Sequence, residues 1–247
     1  MVRSAIISDT LASKLIYTLL LLIFPLRSSF PQEKDYKAIF GKDWIKAEAF
    51  ISENEGWMKV MSSRYHISFA VAASVIFPEL VRYSALRDKI ETTLLKTLYV
   101  NLGNEYANFS IGPFQMKPTF AEFICSKAPE IGGSLGKEFR KKGPPEETTE
   151  FRKSIVSDLE RPESEFVYLA SFIRICIRSY DLEEADIEKM VTIISTAYNC
   201  GPGKSLSEIK DMASRRFFNT RLYKTENYCY SDISLYWYRS HFGNLTH

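Results

Sequence analysis

Glu79 sits among side chains that would make an acid of it. Its carboxyl group closes the run Val75-Ile76-Phe77-Pro78 and is followed by Leu80-Val81. Desolvation in such company disfavours the ionised form and raises the pKa, which is what a general acid near neutral pH requires. Pro78 cannot donate to a helical ladder, so a kink there would aim the next side chain away from the regular helical direction. Arg82, three residues on, supports a plainer reading. An i,i+3 ion pair would lower the pKa and leave Glu79 a surface residue of its helix. The local sequence leaves both open.

Two later segments carry polar groups of the kind such an acid needs beside it. One is Gly112-Pro113-Phe114-Gln115-Met116-Lys117-Pro118, followed by Thr119 and Ala121; the other is Ala197-Tyr198-Asn199-Cys200-Gly201-Pro202-Gly203. Alone, the second reads as a capped helix end with a turn, and such a turn can also present side chains to a cleft. In order with Glu79, the segments resemble the soluble lytic transglycosylases of the lysozyme-like superfamily, which carry G-L-M-Q-I-M-P and A-Y-N-A-G-P-G. Gly, Gln and Pro match at the family's spacing in the first, with Phe114 where the family prefers Met. The second departs only at Cys200. The resemblance covers about 125 of 247 residues. Leu80 stands where the family has Ser, and the 33 positions from Glu79 to Gly112 exceed the usual gap. A helix opening at Asp88 therefore looks like an insertion, and the chain looks like a divergent branch.

The resemblance implies a mainly α, lysozyme-like fold whose central buried helix ends at a catalytic Glu79. It also implies cleavage of the MurNAc-GlcNAc bond in peptidoglycan glycan strands, with anhydro-muramic acid ends. Gln115, and the backbone around Phe114 and Met116, would hold the acetamido and hydroxyl groups of the sugars. The Tyr198 hydroxyl would steady the glutamate, Asn199 would touch substrate beside it, and Ser110 would offer one more hydroxyl contact. Retaining and inverting hydrolases need two carboxyl groups, whereas lytic transglycosylases use one as acid and then base. Near the matched motifs Glu91 is explained by capping with Asp88 and Glu105 by a solvated loop, which favours the single-acid route. A lysozyme-like hydrolase and a non-catalytic glycan-binding module are the alternatives on the same fold.

The elements that must position these residues follow from periodicity. Asp43 can cap a helix bearing Trp44, Ile45, Phe50 and Ile51, and Tyr65-His66 turns the chain. From Phe69 to Val81 only Ser74 and Glu79 are polar, so this helix is apolar all round and belongs in the middle of the fold. Asp88 and Glu91 resemble a capping box for a helix with Ile90, Leu94, Leu95, Leu98 and Leu102 on one face, ended by Gly103. Residues 104–118 lack helical period. Pro118 to Lys127 reads as helix. Residues 129–163 turn to Gly, Pro, Lys and Glu and read as a long polar loop with at most a short helix near 150–160. Helices follow at about Glu165–Tyr180, Glu184–Tyr198, Ser205–Arg215 and Ser231–His241. No stretch alternates long enough to argue for a sheet. Tyr228, Tyr230, Tyr236, Trp237 and Tyr238 have the spacing of packing residues, with a sugar platform as the other reading.

Composition narrows the partners. With 32 basic and 30 acidic side chains the net charge is +2, which leaves no single-sign field for nucleic acid. Residues 1–29 read as a signal peptide, or an N-terminal anchor. Arg3 and Lys14 precede a 12-residue apolar stretch, Leu15 to Leu26, of secretory length and too short for an unaided span. Residues 30–247 would then form one transglycosylase domain, a periplasmic or secreted monomer touching membrane only if the leader stays uncleaved. Cys125, Cys176, Cys200 and Cys229 lack a C-x-x-C pair and only three His accompany them, so no metal is expected, and no cofactor. Disulfides and buried thiols both fit their spacing.

Overall fold

A computed structural model describes residues 34–85, 89–142, 148–219 and 226–243, and the elements below belong to the unit Tyr36–His247. Gly41 has a φ of 53°, a left-handed conformation that costs glycine little. It parts the short helix α1 (Tyr36–Phe40) from α2 (Lys42–Arg64). Tyr65 and His66 then turn the chain as expected, with the Ile67 N–H donating to the Ser62 carbonyl at 3.0 Å. Next come α3 (Phe69–Ala85) and α4 (Lys89–Leu102). The latter ends at Gly103, whose N–H donates to the Tyr99 carbonyl at 2.8 Å.

After an irregular stretch come α5 (Pro118–Ile131), α6 (Gly133–Lys142), α7 (Thr149–Leu159), α8 (Pro162–Ser179), α9 (Ile187–Cys200) and α10 (Leu206–Met212). Strands β1 (Arg216–Phe218) and β2 (Tyr228–Cys229) form an antiparallel pair, and α11 (Tyr230–Phe242) closes the fold. Polar caps start the later helices where the sequence offers them. Asp186 accepts from the Lys189 N–H, and Ser205 forms a full capping box with Glu208. The fold is mainly helical.

Every residue of α3 from Val71 to Val81 is buried. A helix with no polar face has no stable place except the centre, and α2, α9 and α11 pack around it. Phe77 marks the middle: its ring meets Trp44 of α2 edge-on at 4.5 Å and stacks on Trp237 of α11 at 4.8 Å. Each such buried ring contributes about 1.5–3 kcal/mol relative to exposure. Of the C-terminal aromatics, Tyr228, Tyr230, Trp237 and Tyr238 are buried in this core, so they pack and do not form an open platform.

Three expectations differ from what the chain does. Residues 129–163 are largely helical, as α6 and α7. Leu135 with Phe139, and Ile155 with Leu159, each pair at i,i+4 to anchor one buried edge, and a Thr148 cap starts α7. Two or three apolar residues suffice where charged neighbours solvate the rest, and that pattern is too sparse to show as a period. The β1–β2 pair is the second difference. These strands hold three and two residues, below the length at which alternation can be seen. Third, α2 begins behind Gly41 at Lys42, with Asp43 inside its first turn. Residues 1–29, their apolar stretch and Asp88 lie outside the described residues. Among those described, no helix is long and apolar enough to cross a membrane. All four cysteines are free thiols, three of them buried.

Candidate active site

Helix α3 runs on to Ala85, so the expected end of the helix at Glu79 is corrected. Glu79, one residue after Pro78, lines a cleft of about 320 Å³. Ser110, Gln115 and Met116 line it from one side, Tyr198 and Asn199 from the end of α9. Six of the seven residues expected at a site therefore meet there. Phe114 does not: its ring is fully buried against Phe50 and Phe166, at 6.2 and 6.5 Å. The expectation there concerned the Phe114 backbone; its ring anchors the turn to the core. Glu105 is exposed and lies outside the cleft lining, and the Glu91 side chain is outside the described residues.

The Arg82 pair forms, but Glu79 is buried and not a surface residue of its helix. Glu79 is 4% exposed, and burial pushes its carboxyl above the ordinary carboxylate range. Arg82 opposes this. Its Nη1 donates to both carboxylate oxygens at 2.9 Å, and its charge, with that of Lys117, pulls the pKa down without cancelling the effect of burial. The Arg82 guanidinium in turn lies 4.4 Å from the centroid of the Phe218 ring, a cation–π contact. The short β1 strand thus sets where the cation beside Glu79 rests. Leu80, where the family has Ser, is buried in the core.

The turn opposite Glu79 is closed by Ile111 and Met116, which exchange two backbone hydrogen bonds of 2.9 and 3.1 Å. Between them Gly112 has a φ of 69° and Gln115 a φ of 53°. The Gln115 side chain donates from Nε2 to the Gly112 carbonyl at 2.8 Å, so its amide braces the turn that it was expected to extend toward sugar. Below the turn sits Glu165, on α8 and fully buried. Its Oε2 accepts from the Phe114 N–H at 3.4 Å, and burial still drives its carboxyl well above the usual range. Sequence reading passed over Glu165 as a helix start. The available signal was an acid at the head of the apolar run from Phe166 to Ile173, the same setting that singled out Glu79.

Tyr198 takes a different partner from the expected one. Its hydroxyl donates to the Phe114 carbonyl at 2.8 Å, joining α9 to the turn. Glu79 is near enough for its charge, after burial, to help raise the Tyr198 pKa. Tyr230, read from sequence as packing, is the second buried phenol in this field. It donates to the Val75 carbonyl at 3.0 Å, one helical turn before Glu79. Tyr198→Phe is expected to leave the buried Phe114 carbonyl without its donor, at a cost of about 1–3 kcal/mol. Urea denaturation of the two proteins measures this, and equal midpoints would remove the hydroxyl from the structural account.

Among the described residues no group of three His, Cys, Asp or Glu side chains is gathered as for a metal ion. Comparison with family models, curated proteins and solved structures returns no match to this chain.

Proposed function

We propose that the chain is a peptidoglycan lytic transglycosylase of a divergent lysozyme-like branch, working in the periplasm or outside the cell. The observation that carries this reading is convergence: Glu79, the Gln115 turn and the Tyr198-Asn199 helix end, far apart in the chain, line one cleft. Glu79 is also the sole acid among its described lining residues. One carboxyl group suffices for the following sequence. Protonated Glu79 donates to the glycosidic oxygen, and the bond from C1 of muramic acid to that oxygen breaks. The substrate's acetamido group supports the cation left at C1. The Glu79 carboxylate then takes the proton from the C6 hydroxyl, whose oxygen bonds C1 and closes the anhydro ring. Glu79 ends protonated, and no water is consumed.

Mass spectrometry of the soluble products tests this. Anhydro-muramic ends, lighter by one water, are expected. Reducing ends instead would establish a hydrolase. A specific observation favours a second reading, a glycan-binding module without turnover: Arg82 grips both oxygens of Glu79. Binding to peptidoglycan with no release of soluble material would select it.

The Arg82 pair also sets a pH dependence. The first step needs protonated Glu79, so activity is present below its pKa and falls as pH rises through it. Arg82 holds that pKa down. In Arg82→Gln the pKa rises further, and the alkaline limb of the pH–rate profile is expected to move to higher pH. An unmoved limb would show that another group governs it.

A further inference from the structure

The larger cavity, of about 820 Å³, lies outside this cleft, between α5, the end of α8 and the stretch leading into α10. Nothing in the reaction above uses it. A single turn separates the two: Cys200, Gly201 and Pro202 line the cleft, while Gly203, Lys204 and Ser205 line the cavity. The rest of the partition is aromatic. Phe172 lines the cavity and packs at 5.0 Å against Phe120, which faces the cleft, and at 5.7 Å against Tyr198.

The chemistry of the cavity is mixed. Phe123 and Phe172 give it an apolar floor. Around them stand three cations, Lys127, Arg178 and Lys204, against one carboxylate, Glu130, a net of two positive charges. Arg178 is held at the rim, donating from Nη1 to the Glu130 carbonyl at 3.2 Å. Glu208, close enough to Lys204 to feel its charge, is committed to the capping box with Ser205, whose hydrogen bonds hold it below the ordinary range. An alkyl chain suits such a site poorly, because it would lie against ammonium and hydroxyl groups that need water or partners. A short anionic peptide suits it, offering carboxylates to the cations, small apolar side chains to the rings and an amine to Glu130. The stem peptide on muramic acid has that make-up: alanine methyls, several carboxylates and one amine.

We propose that this cavity binds the anionic stem peptide of peptidoglycan, so that the chain acts on glycan still carrying its peptides. This rests on reading the neighbouring cleft as a peptidoglycan site. The test is calorimetric titration of the full chain with an N-acetylated stem tetrapeptide, and with the same peptide amidated at its carboxyl groups. The free-acid peptide is expected to bind. Amidation, or the double change Lys127→Glu with Lys204→Glu, is expected to weaken it on the order of tenfold, more at low salt than at high. Glu79→Gln is expected to bind it as the parent does. No binding, or equal affinity for both peptides, overturns the proposal whatever the variants do.

A second arm compares release from intact peptidoglycan with release from glycan stripped of its peptides by an amidase. The parent is expected to favour the intact material and the double variant to lose that preference. Equal parental rates overturn the proposal. A chain that binds the peptide through these charges yet releases nothing from either material upholds the cavity and sinks the lytic reading of Glu79.

Discussion

Glu79→Gln is expected to reduce release of soluble muropeptides from peptidoglycan by roughly a thousandfold, within the 10²–10⁴ that a positioned general acid contributes. The amide has the size of the acid and can still accept a hydrogen bond from Arg82, but it has no proton to give at the glycosidic oxygen and none to take back from the C6 hydroxyl. Both halves of the single-acid route fail together. The fold should survive, because the Arg82 side chain keeps partial access to solvent, at 23% exposure, and its place over Phe218. Matched circular dichroism and denaturation midpoints would separate lost chemistry from lost structure. A folded variant that keeps activity within tenfold of the parent would remove Glu79 from the acid role.

The second large effect is structural. Gly112→Ala is expected to destabilise the chain by about 3 kcal/mol or more, from two sources. A Cβ at a φ of 69° carries the left-handed penalty of about 1–2 kcal/mol. The same atom would run into the Leu159 carbonyl oxygen and lie 2.5 Å from the Glu165 carboxyl, and overpacking of that kind costs about 1–3 kcal/mol. Backbone and a buried acid cannot give way as an exposed side chain can. Gly132→Ala supplies the control, since Gly132 also has positive φ, 77°, but nothing within 4 Å of an added Cβ. Its loss should be limited to the backbone penalty. Urea denaturation of both variants decides the matter: equal losses would mean that the turn has room that its contacts deny. Because Gly112 opens the turn carrying Gln115 and Met116, release of muropeptides should fall with it.

Much of this site was legible because its signals are local. The burial of α3 follows from an apolar run interrupted only by Ser74 and Glu79, and its helix could go nowhere but the centre. Ser205 announces the start of α10 and Gly103 the end of α4, since caps depend on residues within one turn. The three motif segments were likewise visible as segments, and six of the seven residues drawn from them and from Ser110 beside them line one cleft.

What the tertiary structure alone decided is who partners whom, for groups that chain distance hides. Glu165 braces the Phe114 amide across 51 positions, Tyr198 reaches the Phe114 carbonyl across 84, and Tyr230 reaches Val75 across 155. No periodicity encodes such pairs, because a polar group is buried only where the packed chain supplies its donor or acceptor. The same holds for the turn of Phe114 toward the core, the helices folded from a polar stretch, and the ring of Phe218 beneath Arg82. Sequence by itself determined that an acid sits in apolar surroundings within a buried helix, with a cation three residues away. Packing decided that both influences act on it together, because desolvation and the charge of Arg82 depend on how closely α3, β1 and the Gln115 turn approach one another.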